Sequence, residues 1–202
     1  MEVDNSKQVL LSVFGVAILV IAVFGVSFAA FNYSKTGTKV NTITTGTITM
    51  SYTEPDNGIN LANAMPMSDS QGKVLTGDNN VFDFTVTTTI VGTATVNYTI
   101  TATKEGDSTI PDTGVKVYLT NMDADADSQI LAPTLVSNLS KTGSSELSGA
   151  PANQYILKSD STTSSVNHKY RLRMWVADTY TVGGTSQTYK LRVNVYGKAP
   201  AQ

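Results

Sequence analysis

Residues 95–103, TVNYTITAT, decide the fold class of this chain. Apolar side chains occupy every second position, at Val96, Tyr98, Ile100 and Ala102, and threonine or asparagine stands between them. A period of two places alternate side chains on opposite faces of an extended strand, with one face packed and the other solvated. The stretch therefore predicts an antiparallel strand that covers a packed core.

The same alternation recurs along the rest of the chain. Seven further runs are predicted to be strands, at 47–52, 82–87, 115–119, 130–136, 155–157, 170–176 and 189–196. The run at 130–136 contains Pro133, which removes a backbone donor and favours a sheet edge. The 29 threonines of the chain fit strands with solvated outer faces. Eight short strands in about 170 residues predict an all-β fold, a jelly-roll-like antiparallel β-sandwich.

Three connecting segments have the composition of turns or loops. Residues 182–185, VGGT, predict a hairpin loop between the last two strands. Residues 57–77 are predicted to hold one helical turn at 61–64, and residues 137–152 form a polar loop. No domain boundary is predicted after residue 29, so residues 30–202 are expected to form one β-sandwich domain.

A long apolar segment precedes the strands. Residues 9–30 carry no charge over 22 positions. As a helix they would extend about 33 Å, enough to cross a hydrocarbon core of about 30 Å. Ser27 and Ala29 place small residues at the −3 and −1 positions of a signal-peptidase site, so cleavage before Ala30 is expected.

Two interpretations of residues 1–29 stay open, a signal peptide and a retained membrane anchor helix. The apolar run is long for a signal peptide, and Glu2 and Asp4 depart from the positive start that signal peptides have. Export is expected with either interpretation, because the strand-rich remainder is typical of a surface domain.

Composition excludes several kinds of site. The chain has no cysteine, which rules out disulfides, zinc–thiolate sites and thiol nucleophiles. A single histidine, His168, cannot build a multi-histidine metal site, and it is expected in a loop. The net charge of −2 gives no basic footprint for nucleic acid. With no zinc-protease motif and no nucleophile elbow, we expect neither enzymatic activity nor a cofactor.

One acidic segment is similar to the start of a calcium loop. Residues 121–128, NMDADADS, are called the acidic turn below. It carries three aspartates at alternate positions, Asp123, Asp125 and Asp127. An EF-hand loop would need glycine and glutamate where this chain has Ser128 and Thr134. The acidic turn is therefore interpreted as a solvated loop, with a weak Ca²⁺ site as the alternative.

A resemblance to a known family begins at the leader junction. Residues 26–32, VSFAAFN, are followed by TGTITM at 45–50 and by INLANAMP at 59–66. A predicted strand at 81–86 and the turn IVGT at 90–93 come next. These blocks resemble the TasA/camelysin family of Firmicutes. In that family the leader ends in an aromatic residue plus alanine, and an A-G-T-L-D-L block and an N-L-x-N-L-x-P segment follow.

The resemblance implies an exported protein with a SipW-type signal peptide and a jelly-roll domain that builds biofilm matrix fibres. In such fibres the freed N-terminal segment of one subunit adds as a strand to the next. Carried over to this chain, segment 30–40 would be the donor strand, with Phe31, Tyr33 and Val40 as pocket-filling residues. A flexible stalk is the alternative role for this segment.

We therefore expect a secreted structural protein that forms extracellular matrix or cell-surface fibres by donor-strand exchange. Its expected partners are other copies of itself, joined head to tail, a signal peptidase, and the membrane before cleavage. A membrane-anchored surface β-sandwich, used for adhesion or envelope structure, is the alternative. A secreted protease is a third hypothesis, although the sequence shows no ligand set for one.

Overall fold

The computed structural model describes residues 32–36, 41–45, 48–53, 59–62, 64–77, 80–91, 94–183 and 187–199. The strands are β1 (Asn32–Thr36), β2 (Asn41–Thr45), β3 (Ile48–Thr53), β4 (Ile59–Ala62), β5 (Val81–Ile90), β6 (Val96–Lys104), β7 (Val115–Asn121), β8 (Ser128–Leu135), β9 (Tyr155–Thr162), β10 (Val166–Val176) and β11 (Thr188–Lys198). The short helix is α1 (Asp69–Gly72), and 3₁₀ turns lie at Asp112–Gly114, Asp123–Asp125 and Val136–Asn138. Each of the eight predicted strands is present, β1 lies within the segment 30–40 that the resemblance implies to be a strand, and β2 and β4 were not predicted.

The strands form two sheets in which every strand ladder is antiparallel. Sheet A has the order β1-β11-β6-β9, with β4 also paired to β11. Sheet B has the order β2-β3-β5-β10-β7-β8. The Pro133 strand, β8, lies at the edge of sheet B as predicted. The expected all-β sandwich of antiparallel strands is therefore confirmed.

The two sheets share one core. The inward side chains predicted for 95–103, Val96, Tyr98, Ile100 and Ala102, are all buried. Across the core, the hydroxyls of Tyr98 and Tyr170 lie 3.1 Å apart and join sheet A to sheet B. Burial of this apolar surface is the main term that stabilises the sandwich.

The outer face of sheet A is more buried than its alternation predicts. Thr99 and Thr101 were expected in solvent, yet they are 3% and 0% exposed. Gln154, just before β9, reaches over this face: its Oε1 accepts from Thr101 Oγ1 at 2.5 Å, and its Nε2 donates to Tyr196 Oη at 2.9 Å. Alternation assigns residues to a face, but it does not say whether a loop covers that face.

The connection between β4 and β5 covers part of the outer face of sheet B. The helical turn predicted at 61–64 is wrong, because 61 and 62 belong to β4 and the helix is α1. At the start of α1, the backbone N–H of Ser68 donates to Gln71 Oε1 at 3.1 Å, an S-x-x-Q arrangement that is visible in the sequence. Gly72 lies against the indole of Trp175, which is buried.

The predicted hairpin between the last two strands is also wrong. β10 lies in sheet B and β11 in sheet A, so their connection crosses between the sheets. A glycine-rich turn specifies a chain reversal, but it does not specify the sheet in which the next strand pairs. His168, which was expected in a loop, lies within β10.

Candidate assembly site on the last strand

β11 is the strand on which the N-terminal segment pairs. One of its edges is paired with β6 over residues 191–198. Its other edge is shared by two short strands, with β4 opposite residues 188–191 and β1 opposite residues 194–198. The half of this edge that lies opposite β1 is called the acceptor edge below.

β1 runs antiparallel to the acceptor edge over five register pairs. The ladder begins with Asn32 opposite Lys198 and ends with Thr36 opposite Asn194. Tyr33, one of the predicted pocket-filling residues, stands opposite Gly197. Strand pairing of this kind depends on backbone groups, so it sets a register without requiring a particular side chain at every position.

Gly197 allows the two sheets to approach closely beside the acceptor edge. A Cβ at this position would lie 2.3 Å from Met50 Sδ and 3.7 Å from Val96 Cγ1. Met50 belongs to β3 of sheet B, and its side chain is 0% exposed. A glycine inside a strand commonly marks such a close approach, and here it lets Met50 seal the core behind β11.

Side chains on the outer face also hold β11 in place. Asn194 Nδ2 donates to Thr103 Oγ1 at 3.0 Å, and Tyr196 Oη accepts from Gln154 as described above. Both side chains are buried, and Asn194 Oδ1 has no hydrogen-bond partner among the described residues. β11 is therefore held in place by β6, by Met50 and by its own side chains. A site that binds a strand needs this kind of preorganisation.

The other half of the same edge is covered by a strand anchored in the core. Ile59 and Leu61 of β4 are both buried among the core side chains. β4 follows β2 and β3 in the chain, whereas β1 is the first strand described and directly follows the predicted cleavage site. The length of the acceptor edge is therefore limited to residues 194–198.

Several predicted site residues lie outside the described residues. These are the processing residues Ser27, Ala29 and Ala30 and the donor residues Phe31 and Val40. The apolar segment 9–30 lies outside them as well. No helix within the part of the chain that the structure describes is long and apolar enough to cross a membrane.

The acidic turn is held by polar contacts to β10. His168 Nδ1 lies 2.5 Å from Asp123 Oδ2, and the Lys169 N–H donates to Asp123 Oδ1 at 2.7 Å. Asn121 Nδ2 donates to Asp123 Oδ2 at 2.9 Å. Burial alone would raise the pKa of Asp123, but these contacts outweigh it and hold the pKa below its ordinary value.

The last aspartate of the acidic turn has a different partner. Asp127 accepts two hydrogen bonds from Arg173, at 3.0 and 2.8 Å, and Arg173 is 2% exposed. The same guanidinium donates to the Leu75 carbonyl at 2.9 Å and so ties the acidic turn to the segment after α1. Asp123 and Asp127 therefore face separate protein partners. The described residues contain no group of three or more His, Cys, Asp or Glu side chains that could hold a metal ion.

The sequence analysis proposed segment 30–40 as a donor but named no strand with which it would pair. Nothing in the alternation of 189–196 distinguishes the edge paired with β6 from the edge paired with β1. The available signal was Gly197, a glycine placed directly after an alternating strand. Comparison of the chain with protein-family models, with curated proteins and with solved structures gives no match.

Proposed function

We propose that this chain is an exported structural protein whose subunits join head to tail into cell-surface or extracellular matrix fibres. In the fibre, segment 30–40 of one subunit pairs with the acceptor edge of the next. The observation that supports this proposal is the pairing of β1 with β11, in which Asn32–Thr36 lies against residues 194–198 in a defined register.

The same pairing is available between two copies of the chain. Backbone hydrogen bonds do not depend on whether the two strands belong to one subunit, so an N-terminal strand is readily exchanged between subunits. Without β1, residues 194–198 would present unpaired N–H and C=O groups, and such an edge pairs readily with another strand. Each subunit has one donor and one acceptor, which leads to a heterologous, open-ended chain.

The strand order supports a jelly-roll assignment within this proposal. Strands β4 to β11 fall into two blocks of four, β4-β11-β6-β9 and β5-β10-β7-β8. We infer that these blocks are the two four-stranded sheets of a jelly roll, with β1, β2 and β3 added at the edges. This fold agrees with the resemblance of roughly residues 20–105 to the TasA/camelysin family, in which donor-strand fibres are expected.

The alternative function is a membrane-anchored surface β-sandwich for adhesion or envelope structure, with residues 1–29 retained. In that case β1 would cap its own β11 permanently, which the observed pairing also allows. The two functions differ in the mature N-terminus. Intact mass spectrometry of the cell-surface protein should give a chain that starts at Ala30; a chain that starts at Met1 supports the anchored alternative.

Deletion of the donor segment tests the proposal directly. A chain that starts at residue 41 should stay folded, because β4 and the core remain, and should give monomers in negative-stain images where the chain from Ala30 gives fibres. A peptide with the sequence of 30–40 should bind this truncated chain, and a peptide with the same composition in scrambled order should not. Fibres formed by the truncated chain would refute donor-strand exchange through this segment.

A further inference from the structure

The acceptor edge is already occupied in a single chain. β1 of the subunit itself is paired with residues 194–198 over all five register positions. An antiparallel edge has one set of outward N–H and C=O groups, so it pairs with one strand at a time. A donor from another subunit must therefore bind where the subunit's own β1 lies.

The short connection after β1 favours pairing within one chain. Residues 37–40 link Thr36 in sheet A to Asn41 in sheet B. The five peptide steps from Thr36 to Asn41 can extend about 17 Å, and packed sheets lie about 10 Å apart. Pairing of β1 with its own β11 therefore requires no unusual stretching of the chain.

We propose that β1 is an intramolecular cap that keeps the free subunit from assembling, and that assembly is a strand swap in which this cap leaves its own acceptor edge. The inference rests on the proposed function, since it names how the same site is regulated. The cap and the donor are one segment in one register, so the strand pairs themselves favour neither state.

The tether decides which state is favoured. Residues 37–40 tether β1 to the rest of its own subunit, so β1 meets its own acceptor edge at an effective concentration on the order of 1 mM. Strand pairing alone therefore favours the capped monomer below about 1 mM protein and the fibre above it. Each capped monomer contains one pairing, and an open fibre contains one fewer pairing than it has subunits. Starting a fibre therefore loses one pairing, whereas each later addition loses none. Assembly should show a lag that disappears on seeding.

The absence of cysteine from the chain makes this cap testable with an engineered disulfide. Asn32 and Lys198 are directly opposite in the register, and opposite residues of an antiparallel pair have Cα atoms about 4.5–5.5 Å apart, within the range of a disulfide. The variant N32C/K198C, made in the chain that starts at Ala30, is compared with N32C and K198C alone. Its thiols are oxidised at low concentration and its assembly is followed by light scattering and non-reducing gels.

The capped-monomer proposal gives a specific set of results. The oxidised double variant should run as a monomer with an internal disulfide, and it should lose fibre formation under conditions in which the reduced protein assembles. Reductant should restore assembly after a lag, and reoxidation of the finished fibres should give a ladder of cross-linked oligomers. The single-cysteine variants should assemble equally with and without oxidant.

Other results would overturn one proposal or the other. If the monomer forms no internal disulfide but fibres give a ladder, the cap is wrong and donor-strand exchange stands. If the internal disulfide forms but the reduced protein never gives fibres, the proposed function is wrong. Should the double variant fail to fold, hydrogen exchange on the unmodified monomer decides. Within residues 194–198, protection of the amides that point away from β6 supports the cap, and fast exchange of those amides overturns it.

Discussion

Replacing Gly197 by alanine would test the packing that closes the core behind the acceptor edge. The added Cβ would lie 2.3 Å from Met50 Sδ and 3.2 Å from Met50 Cε. Because Met50 is wholly buried, its thioether cannot move aside without displacing other core side chains. Overpacking of this kind costs about 1–3 kcal/mol, so Gly197→Ala should lower the free energy of unfolding by that amount.

A double-variant cycle isolates this contact. Met50→Ala removes Sδ and Cε and, taken alone, should cost about 2–5 kcal/mol because it leaves a cavity. In the double variant Gly197→Ala/Met50→Ala the clash is gone, so the loss should be smaller than the sum of the two single losses by about 1–2 kcal/mol. Urea unfolding followed by tryptophan fluorescence, at a pH and protein concentration held constant, measures all four free energies.

Gly77 provides the matched control. It is exposed, and a Cβ built on it would have no neighbour within 4 Å, so Gly77→Ala should change stability by no more than about 0.5 kcal/mol. Two results would refute the reasoning: a Gly197→Ala variant as stable as Gly77→Ala, or losses at Gly197 and Met50 that simply add. Either would mean that the two sheets do not meet at Met50 and Gly197.

Four further predictions concern the acidic turn and the cover of sheet B. The pKa of Asp123 is lowered in the folded protein, so its carboxylate stabilises the fold at pH values above the unfolded pKa of about 3.9, and this contribution is lost as pH falls through the folded pKa. Asp123→Asn should therefore reduce the decrease in the free energy of unfolding between pH 7 and pH 2. An unchanged decrease would contradict this prediction. Asp127→Ala leaves the buried Arg173 without its carboxylate partner and should lower the free energy of unfolding in urea by about 1–3 kcal/mol. Addition of Ca²⁺ at about 1 mM should leave the Tm of the native chain unchanged, because Asp123 and Asp127 face separate protein partners. Gly72→Ala places a Cβ 2.3 Å from the indole of Trp175 and should shift tryptophan fluorescence toward that of an exposed indole; an unshifted spectrum would show that α1 does not cover Trp175.

Local pattern was sufficient to predict the strands but not their partners. Alternation at 95–103 predicted which side chains of β6 face the core, because a strand has a side-chain period of two whatever lies beside it. The alternation did not predict that Thr99 and Thr101 are buried, because the side chain that reaches over this face is Gln154, more than fifty residues later in the chain. The same limit explains the wrong hairpin between β10 and β11, because a turn sequence carries no information about which sheet follows.

The candidate site divides in the same way. The apolar run at 9–30, the junction at Ala30 and the short segment after it are contiguous in the chain, so a resemblance between sequences is enough to suggest a donor. The acceptor edge is built from β11, from β6 some ninety residues earlier and from Met50 of the other sheet, and no local pattern joins these parts.

By itself the sequence determined the fold class, the apolar run at 9–30 and the absence of thiol chemistry, because each depends on residue types or on neighbours along the chain. Only the tertiary structure decided that β1 pairs with β11 and that Gly197 and Met50 close the core beside this pairing. These features depend on backbone groups and close approaches between strands far apart in sequence, and such contacts exist only once the sheets have formed.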